Sequence, residues 1–320
     1  MRDLIETLRQ FFSRIFLSSS AQENDINRLF LDFTILSAII LFIVAFMVIG
    51  GVVRYHAGKK SGEPKQIFGN KPLEIIWTVI PFGIVVTLFF LSLNVMKKIN
   101  QPVPGGTKPD IIIKAHQWWW DMQYPKLNVL TANELHIPVN KRLLMYIESE
   151  DVIHSWWVPA LGRKTDAIPG RINTSWIEAD SAGVYEGTCS EFCGTEHAWM
   201  RIRVIAESQD KFNHWIKEQQ QFAYRPTDSL GIAGEKIFQK NTCGSCHAIL
   251  GTPASAHIGP DLSHLASRET LLSGMLNNNP ENLRKWLEDP QKVKRGARMP
   301  DFLMTQNEIN ALVDYLKQLH

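Results

Sequence analysis

Two long stretches without a charged side chain constrain this chain more than any other feature. Phe33 to Val53 lies between Asp32 and Arg54, and Ile75 to Met96 lies between Glu74 and Lys97. A helix rises about 1.5 Å per residue, so about 20 apolar residues cross the ~30 Å hydrocarbon core of a bilayer. Both stretches are that long. Buried core helices are the competing reading, but core helices of this length usually carry polar positions. Pro81 and Gly83 predict a kink in the second span, which membrane helices tolerate. The loop Tyr55 to Pro72 holds Lys59, Lys60, Lys65 and Lys71 against Glu63 alone, and Arg54 adds to the excess. The positive-inside rule puts this loop in the cytoplasm, with both termini and everything beyond residue 97 outside.

The first residues make a poor signal peptide, because Asp3 and Glu6 stand where positive charge belongs and Arg14 interrupts the apolar run. Leu4, Ile5, Leu8, Phe11, Phe12, Ile15 and Phe16 follow helical spacing. They predict an amphipathic helix, lying on membrane lipid or docked on a partner subunit. The Pro/Gly stretch 101–108 is a linker. From Asp110 to about Glu207, runs such as IIIKAHQWWW and RLLMYIES are broken by Pro, Gly, Asn and Asp, and Met200, Ile202 and Val204 alternate with Arg201 and Arg203. That pattern predicts a small antiparallel sandwich or barrel. Lys211–Phe222 is polar and helix-compatible. After a second linker, RPTDS at 225–229, residues 231–240, 281–289 and 307–319 read as helices. The chain thus divides into a membrane hairpin over 1–100, a strand-rich domain over 101–221 and a helical domain over 228–320. With 34 basic against 32 acidic residues it lacks the basic excess of a nucleic-acid binder, and 45% hydrophobic content excludes disorder.

Residues 189–200 read CSEFCGTEHAWM, and His154 stands upstream in DVIHSWWVP. Cys189, Cys193, His197, Met200 and His154 form a soft donor set that favours copper or zinc. A single blue-copper ion needs one Cys, two His and a weak Met. The second Cys makes the set large enough for two metals, and two bridging thiolates could hold two copper ions that share one unpaired electron. A structural disulfide, a zinc site and a copper-chaperone motif compete with that reading. Residues 243–247 read CGSCH. C-x-x-C-H is the attachment motif of c-type haem: the two cysteines reach the two vinyl groups, and the next His falls under the iron. A redox C-x-x-C pair or half of a zinc site are the alternatives. A Met sixth ligand would set an electron-transfer potential, and Met275, Met299 and Met304 follow the motif.

The segments DVIHSWWVPALGRKTDAIPGR and CSEFCGTEHAWM resemble cytochrome c oxidase subunit II over about residues 25–207, both spans included. The resemblance implies a cupredoxin-like all-β domain whose dinuclear copper centre, CuA, is bound by His154, Cys189, Cys193, His197, Met200 and the backbone carbonyl of Glu191. It further implies that the Glu191 carboxylate reaches a magnesium ion at the border with subunit I. HQWWWDMQY is similar to the family's aromatic stretch beside CuA, in which Trp118 matches the point where electrons arrive; the middle position is more often Tyr and here is Trp119. Glu74 in LEIIWTVIP matches a carboxylate at the mouth of a proton channel. GARMPDF and IGPDLSHL resemble the loops of class I cytochromes c, which implies an all-α domain with Cys243, Cys246, His247 and Met299 on the haem and Met304 as the alternative ligand. Pro260 matches the residue whose carbonyl orients the haem His.

Together these features imply a fused subunit of a caa-type haem-copper oxidase in the bacterial cytoplasmic membrane, with its metal domains on the periplasmic side. Cytochrome c or another donor would reduce haem c, which would reduce CuA, which would reduce the catalytic subunit where oxygen becomes water and protons are pumped. None of the ten histidines lies inside a span, so oxygen chemistry falls to that partner. A CuA-using nitric oxide reductase and a copper chaperone or sensor are the other functional classes compatible with these residues.

Overall fold

The computed structural model describes residues 19–56, 66, 68–101 and 108–320. The amphipathic segment 4–16, Lys59, Lys60 and Lys65 of the basic loop and residues 102–107 of the first linker lie outside the described residues. The described chain forms two compact units, one over 24–101 and one over 108–320 together with 19–23.

In the first unit, α1 (Ala21–Arg54) and α2 (Lys71–Ile99) extend beyond the uncharged windows at both ends. Asn70 caps α2 by accepting from the Leu73 amide at 3.4 Å, and Pro72 occupies the first turn, where its missing N–H costs nothing. Glu74 accepts from the Asn70 amide at 3.2 Å. The helix runs through Pro81 and Gly83 without interruption. Asp25 pairs with Lys98 at 2.9 Å, which brings the start of α1 to the end of α2 and closes a hairpin. Phe42, Phe46, Phe82 and Phe90 are exposed on these helices, and within the uncharged stretches both helices are predominantly apolar on every side. Surfaces of that kind are stable in lipid rather than in water.

The second unit starts with ten strands in two sheets. The first has the order β3 (Val129–Ala132), β2 (Trp119–Tyr124), β1 (Ile111–His116), β5 (Leu143–Ser149), β8 (Asn173–Ile177). The second has the order β4 (Glu134–Pro138), β10 (Arg201–Glu207), β9 (Gly183–Cys189), β6 (His154–Trp157), β7 (Thr165–Ala167). Ile111, Ile113 and Ile147 of the first sheet share one core with Leu135, Ile202 and Val204 of the second, so the pair is a sandwich. It is mixed rather than antiparallel: β1 runs parallel to β5, and β4 runs parallel to β10. The alternation of apolar and polar residues reports which face is buried and carries no information on strand direction, so the antiparallel expectation had no means of seeing this. The run IIIKAHQWWW is likewise two strands, with a hairpin turn at Gln117–Trp118. The helix α3 (Gln209–Gln219) closes this core with Phe212 and Ile216.

A second core begins at Ala223. Asp228 caps α4 (Ser229–Lys240), Asn279 caps α5 (Pro280–Glu288), and Asp289 caps the short α6 (Pro290–Val293). Thr305 and Glu308 form a capping box on α7 (Gln306–Leu316). Phe238 of α4 packs with Leu312 and Tyr315 of α7. The helices approach closely at Gly234, where a Cβ would lie 2.1 Å from the Ala311 carbonyl oxygen. A short hairpin, β11 (Thr270–Leu271) with β12 (Leu276–Asn277), interrupts the helical part.

Loop 248–264 of the helical part faces the outer side of the first sheet across a chamber of about 1010 Å³, lined among others by His116, Asp121, His257 and Asp261. Asp121 is 5% exposed, and its Oδ1 has no hydrogen-bond partner among the described residues. Burial holds its carboxyl up at about 6, against the ordinary 3.8, with Gln123 and His257 pulling only partly the other way. The folded chain therefore keeps a proton that the unfolded chain releases near 3.8. The site's contribution to stability falls as pH rises from about 4 to 6, and the full penalty is present above that window. Asp121→Asn is expected to raise the thermal midpoint at pH 7.5, by at most about 3 kcal/mol of stability. Calorimetry at pH 4 should find the gain gone.

Candidate metal centres

Three antiparallel neighbours of the second sheet bring the first donor set together. His154 opens β6, Cys189 closes β9, and Met200 immediately precedes β10, so all three sit at one end of the sheet. Cys193 and His197 hang on the connection between β9 and β10. That connection is pinned on both sides: the Ser190 amide donates to the Ser155 carbonyl at 2.9 Å, and the Cys189 amide donates to the Met200 carbonyl at 3.0 Å. The Cys189 and Cys193 sulfurs stand 3.8 Å apart as free thiols, far outside the ~2.05 Å of a disulfide. Around them lie His154 Nδ1 at 3.9 Å from Cys189, His197 Nδ1 at 3.5 Å and Met200 Sδ at 3.9 Å from Cys193, and the Glu191 carbonyl at 3.3 Å from Cys189. His154, Cys189 and Cys193 offer donor atoms within 4.8 Å of one another, and all three are buried. The hydrogen bond with Cys193 drives the Cys189 thiol strongly down, and His154 and the Glu191 backbone reinforce it against the opposing effect of burial. A thiolate is the form that binds a soft metal.

Sequence spacing gave no sign of the group that orients His154. Asp151 accepts a hydrogen bond from His154 Nε2 at 2.8 Å, which leaves Nδ1 facing the sulfurs. Burial would raise the Asp151 carboxyl, but His154 and the Gln117 and Val152 amides outweigh it and hold it at about 2. A carboxylate on the far nitrogen of a ligating His fixes its tautomer and raises its basicity. The Trp118 ring N–H donates to the Cys193 carbonyl at 3.0 Å, and the Gln117 side-chain amide donates to the same carbonyl at 2.8 Å. The Glu191 carboxylate is exposed. Glu74 lies far from these groups in sequence, on the first turn of α2, where it supports the helix cap.

The second set lies in the helical part. Cys243, Gly244 and Ser245 form a 3-10 turn directly after α4, and Cys243 and Cys246 are free. His247 Nδ1 donates to the Pro260 carbonyl at 2.8 Å, which leaves the Nε2 lone pair free to bind a metal. Burial lowers the His247 imidazole, which favours the neutral, ligating form. A Cβ at Gly259 would lie 2.6 Å from the His247 ring, so this position is cut to the ring's shape. Met299 and Met304 both pack, half-buried, on the helical core with Cys243. Two cations unseen in the sequence reading reach from here towards the first set. Lys294 is 5% exposed and donates to the Trp118 carbonyl at 3.1 Å; burial lowers its ammonium to about 8, while Glu196 and Cys193 pull the other way. Arg298 bonds the Gln117 side-chain oxygen.

The chain matches the cytochrome c oxidase subunit II transmembrane domain over residues 10–95, the periplasmic domain of the same subunit over 126–207, and cytochrome c over 232–320. It is 36% identical to cytochrome c oxidase subunit 2 of Alkalihalophilus pseudofirmus, across 90% of this chain and 86% of that one. Against cytochrome c oxidase subunit 2 of Bacillus subtilis the identity is 31%, across 99% and 95%. The periplasmic domain of subunit II of the Bradyrhizobium japonicum oxidase is 34% identical, covers 35% of this chain and 95% of its own, and superimposes with a TM-score of 0.34.

Asp151→Asn keeps the shape of the acceptor and removes its charge. Loss of such a carboxylate costs about 10–100-fold in metal affinity. Competition with a copper chelator should show a loss in that range.

Proposed function

Since this chain belongs to the cytochrome c oxidase subunit 2 family and carries a cytochrome c domain, we propose that its two donor sets form an electron relay within one subunit of a haem-copper oxidase. The relay would run from an external donor to haem c, from haem c to a dinuclear CuA centre, and from there to the catalytic subunit that reduces oxygen and pumps protons. When bound, the covalent haem and the copper pair each supply one-electron redox chemistry. In this reading Cys243 and Cys246 would attach the haem covalently, and His247 and Met299 would hold its iron. The reading assigns His154, Cys189, Cys193, His197, Met200 and the Glu191 carbonyl to the copper pair. The two close, unbonded, buried sulfurs inside a ring of soft donors are the observation that carries it, because free sulfurs side by side could hold a copper pair and a crosslink could not.

The other residues have supporting tasks in this reading. Asp151 holds His154 in the ligating tautomer, and Pro260 does the same for His247. Trp156 and Trp120, packed edge to face at 5.2 Å, form an apolar floor under His154 that keeps water away. The exposed Glu191 carboxylate suits a magnesium ion shared with subunit I, and Glu74 suits a proton-channel mouth once a partner covers α2. The lysine-rich loop supports a cytoplasmic hairpin turn, with the metal domains on the periplasmic side of a bacterial cytoplasmic membrane. The proposed divisions at 101–221 and 228–320 are supported by the change of core at Ala223.

Metal counting tests the relay directly: two copper ions and one haem iron per chain are expected, and a single copper with no haem overturns it. Cys193→Ser should abolish the mixed-valence copper signal in electron paramagnetic resonance while the covalent haem remains.

Met299→Ala should shift the haem spectrum and potential with copper content unchanged. The same shift from Met304→Ala, with none from Met299→Ala, moves the axial assignment to Met304.

A further inference from the structure

The helical domain is not merely tethered to the sandwich by residues 225–229. Glu134, 2% exposed in β4, accepts from the Glu269 and Thr270 amides at 3.1 and 2.8 Å and from the Thr270 hydroxyl at 2.6 Å. Arg203 of β10 bridges Glu186 on its own sheet and Glu269 across the boundary. Arg201 donates its amide to the Ser273 carbonyl at 3.2 Å. These contacts seat hairpin β11–β12 against the sheet end that carries the copper donors.

Lys294 goes further than the rest. A lysine is almost never fully buried without a partner, because removing an ammonium from water is costly. Here the ammonium reaches out of the helical domain to the Trp118 carbonyl, which also accepts from the Ser273 hydroxyl at 3.0 Å. The Trp118 ring then bonds the Cys193 carbonyl. A second strut runs in parallel. Arg298, adjacent in sequence to Met299, bonds Gln117, and Gln117 bonds the same Cys193 carbonyl. Two lines of hydrogen bonds from the haem-bearing domain thus converge on one carbonyl of a proposed copper ligand. The Lys294 ammonium is thus two hydrogen bonds, by way of Trp118, from the Cys193 carbonyl. A positive charge there favours the copper pair with one more electron over the pair without it.

We propose that Lys294 is the positioning residue that locks the haem-bearing domain onto the copper loop for direct electron transfer within the chain, and that its charge beside Cys193 biases the electron towards copper. The inference rests on the relay reading. In the step it serves, one electron leaves ferrous haem, which becomes ferric, and enters the oxidised copper pair; no bond forms and no proton or further reactant is needed.

The test uses the intact oxidase with Lys294→Met, Lys294→Arg, Ser273→Ala and, as an exposed control, Lys292→Met. After flash photoreduction of the haem, Lys294→Met should slow haem-to-copper transfer at least tenfold. It should also lower the copper midpoint potential and raise deuterium uptake over 117–118 and 270–275. Lys294→Arg should hold the potential, since the charge stays, and Ser273→Ala should slow transfer at an unchanged potential. Lys292→Met should match the parent in all three. If Lys294→Met keeps the parental rate, potential and deuterium uptake while holding two coppers and one iron, the proposal is wrong. If Lys294→Met does not assemble, Lys294→Arg and Ser273→Ala decide it, and parental rates and uptake in both overturn it. A parent lacking copper or haem sinks the relay reading instead, and the deuterium arm still reads the docking.

Discussion

The 3.8 Å separation of two buried sulfurs governs the outer part of this molecule. Sulfurs that close would crosslink in an oxidising compartment unless something kept them apart or a metal claimed them. Backbone hydrogen bonds keep them apart here. The Ser190 amide is tied to β6 and the Cys189 amide to the residue before β10, so the connection cannot collapse. The sandwich exists, in effect, to hold the ends of β6, β9 and β10 in register. Its core of Ile111, Ile113, Leu135, Val204 and Trp120 supplies the stiffness that a soft donor set on a loop would otherwise lack.

Orientation of the ligands is a separate matter from their supply. The sheet delivers five side chains and a carbonyl to one place, but an imidazole can present either nitrogen. Asp151 removes that freedom at His154, and the Pro260 carbonyl removes it at His247. The two centres therefore use the same device, an acceptor on the far nitrogen, with different chemistry. A carboxylate serves at the site built from buried sulfurs, where its negative charge makes the imidazole more basic. A neutral carbonyl serves at the other, where the ring is held in a cradle shaped by Gly259.

How much of this could be read beforehand follows from where the information sits along the chain. CSEFCGTEHAWM and CGSCH place most of their ligands within one or two turns of backbone, so composition and spacing together expose the chemistry. The spans were legible because lipid demands an uninterrupted apolar helix. Asp151, Gln117, Lys294 and Arg298 were not, because each acts on a group 34 to 181 residues away or through an orientation that spacing does not encode. The parallel pairs β1–β5 and β4–β10 were hidden for a related reason: period-2 alternation is the same for either strand direction. Met299 and Met304 pack on the same core, so packing does not separate them; only the Met-Pro context favours Met299.

The placement of Lys294 argues that the fusion does more than raise the local concentration of a donor. A flexible tether alone supplies an effective concentration in the millimolar range. It leaves the orientation of the haem edge to chance at every encounter. A buried ammonium on a backbone carbonyl, a hydroxyl on the same carbonyl and a buried carboxylate on two amides specify one orientation. Each would leave a desolvated polar group unpaired in any other arrangement, and that cost selects against misdocking. In the proposed relay, diffusive search would thereby drop out of the step between the two centres.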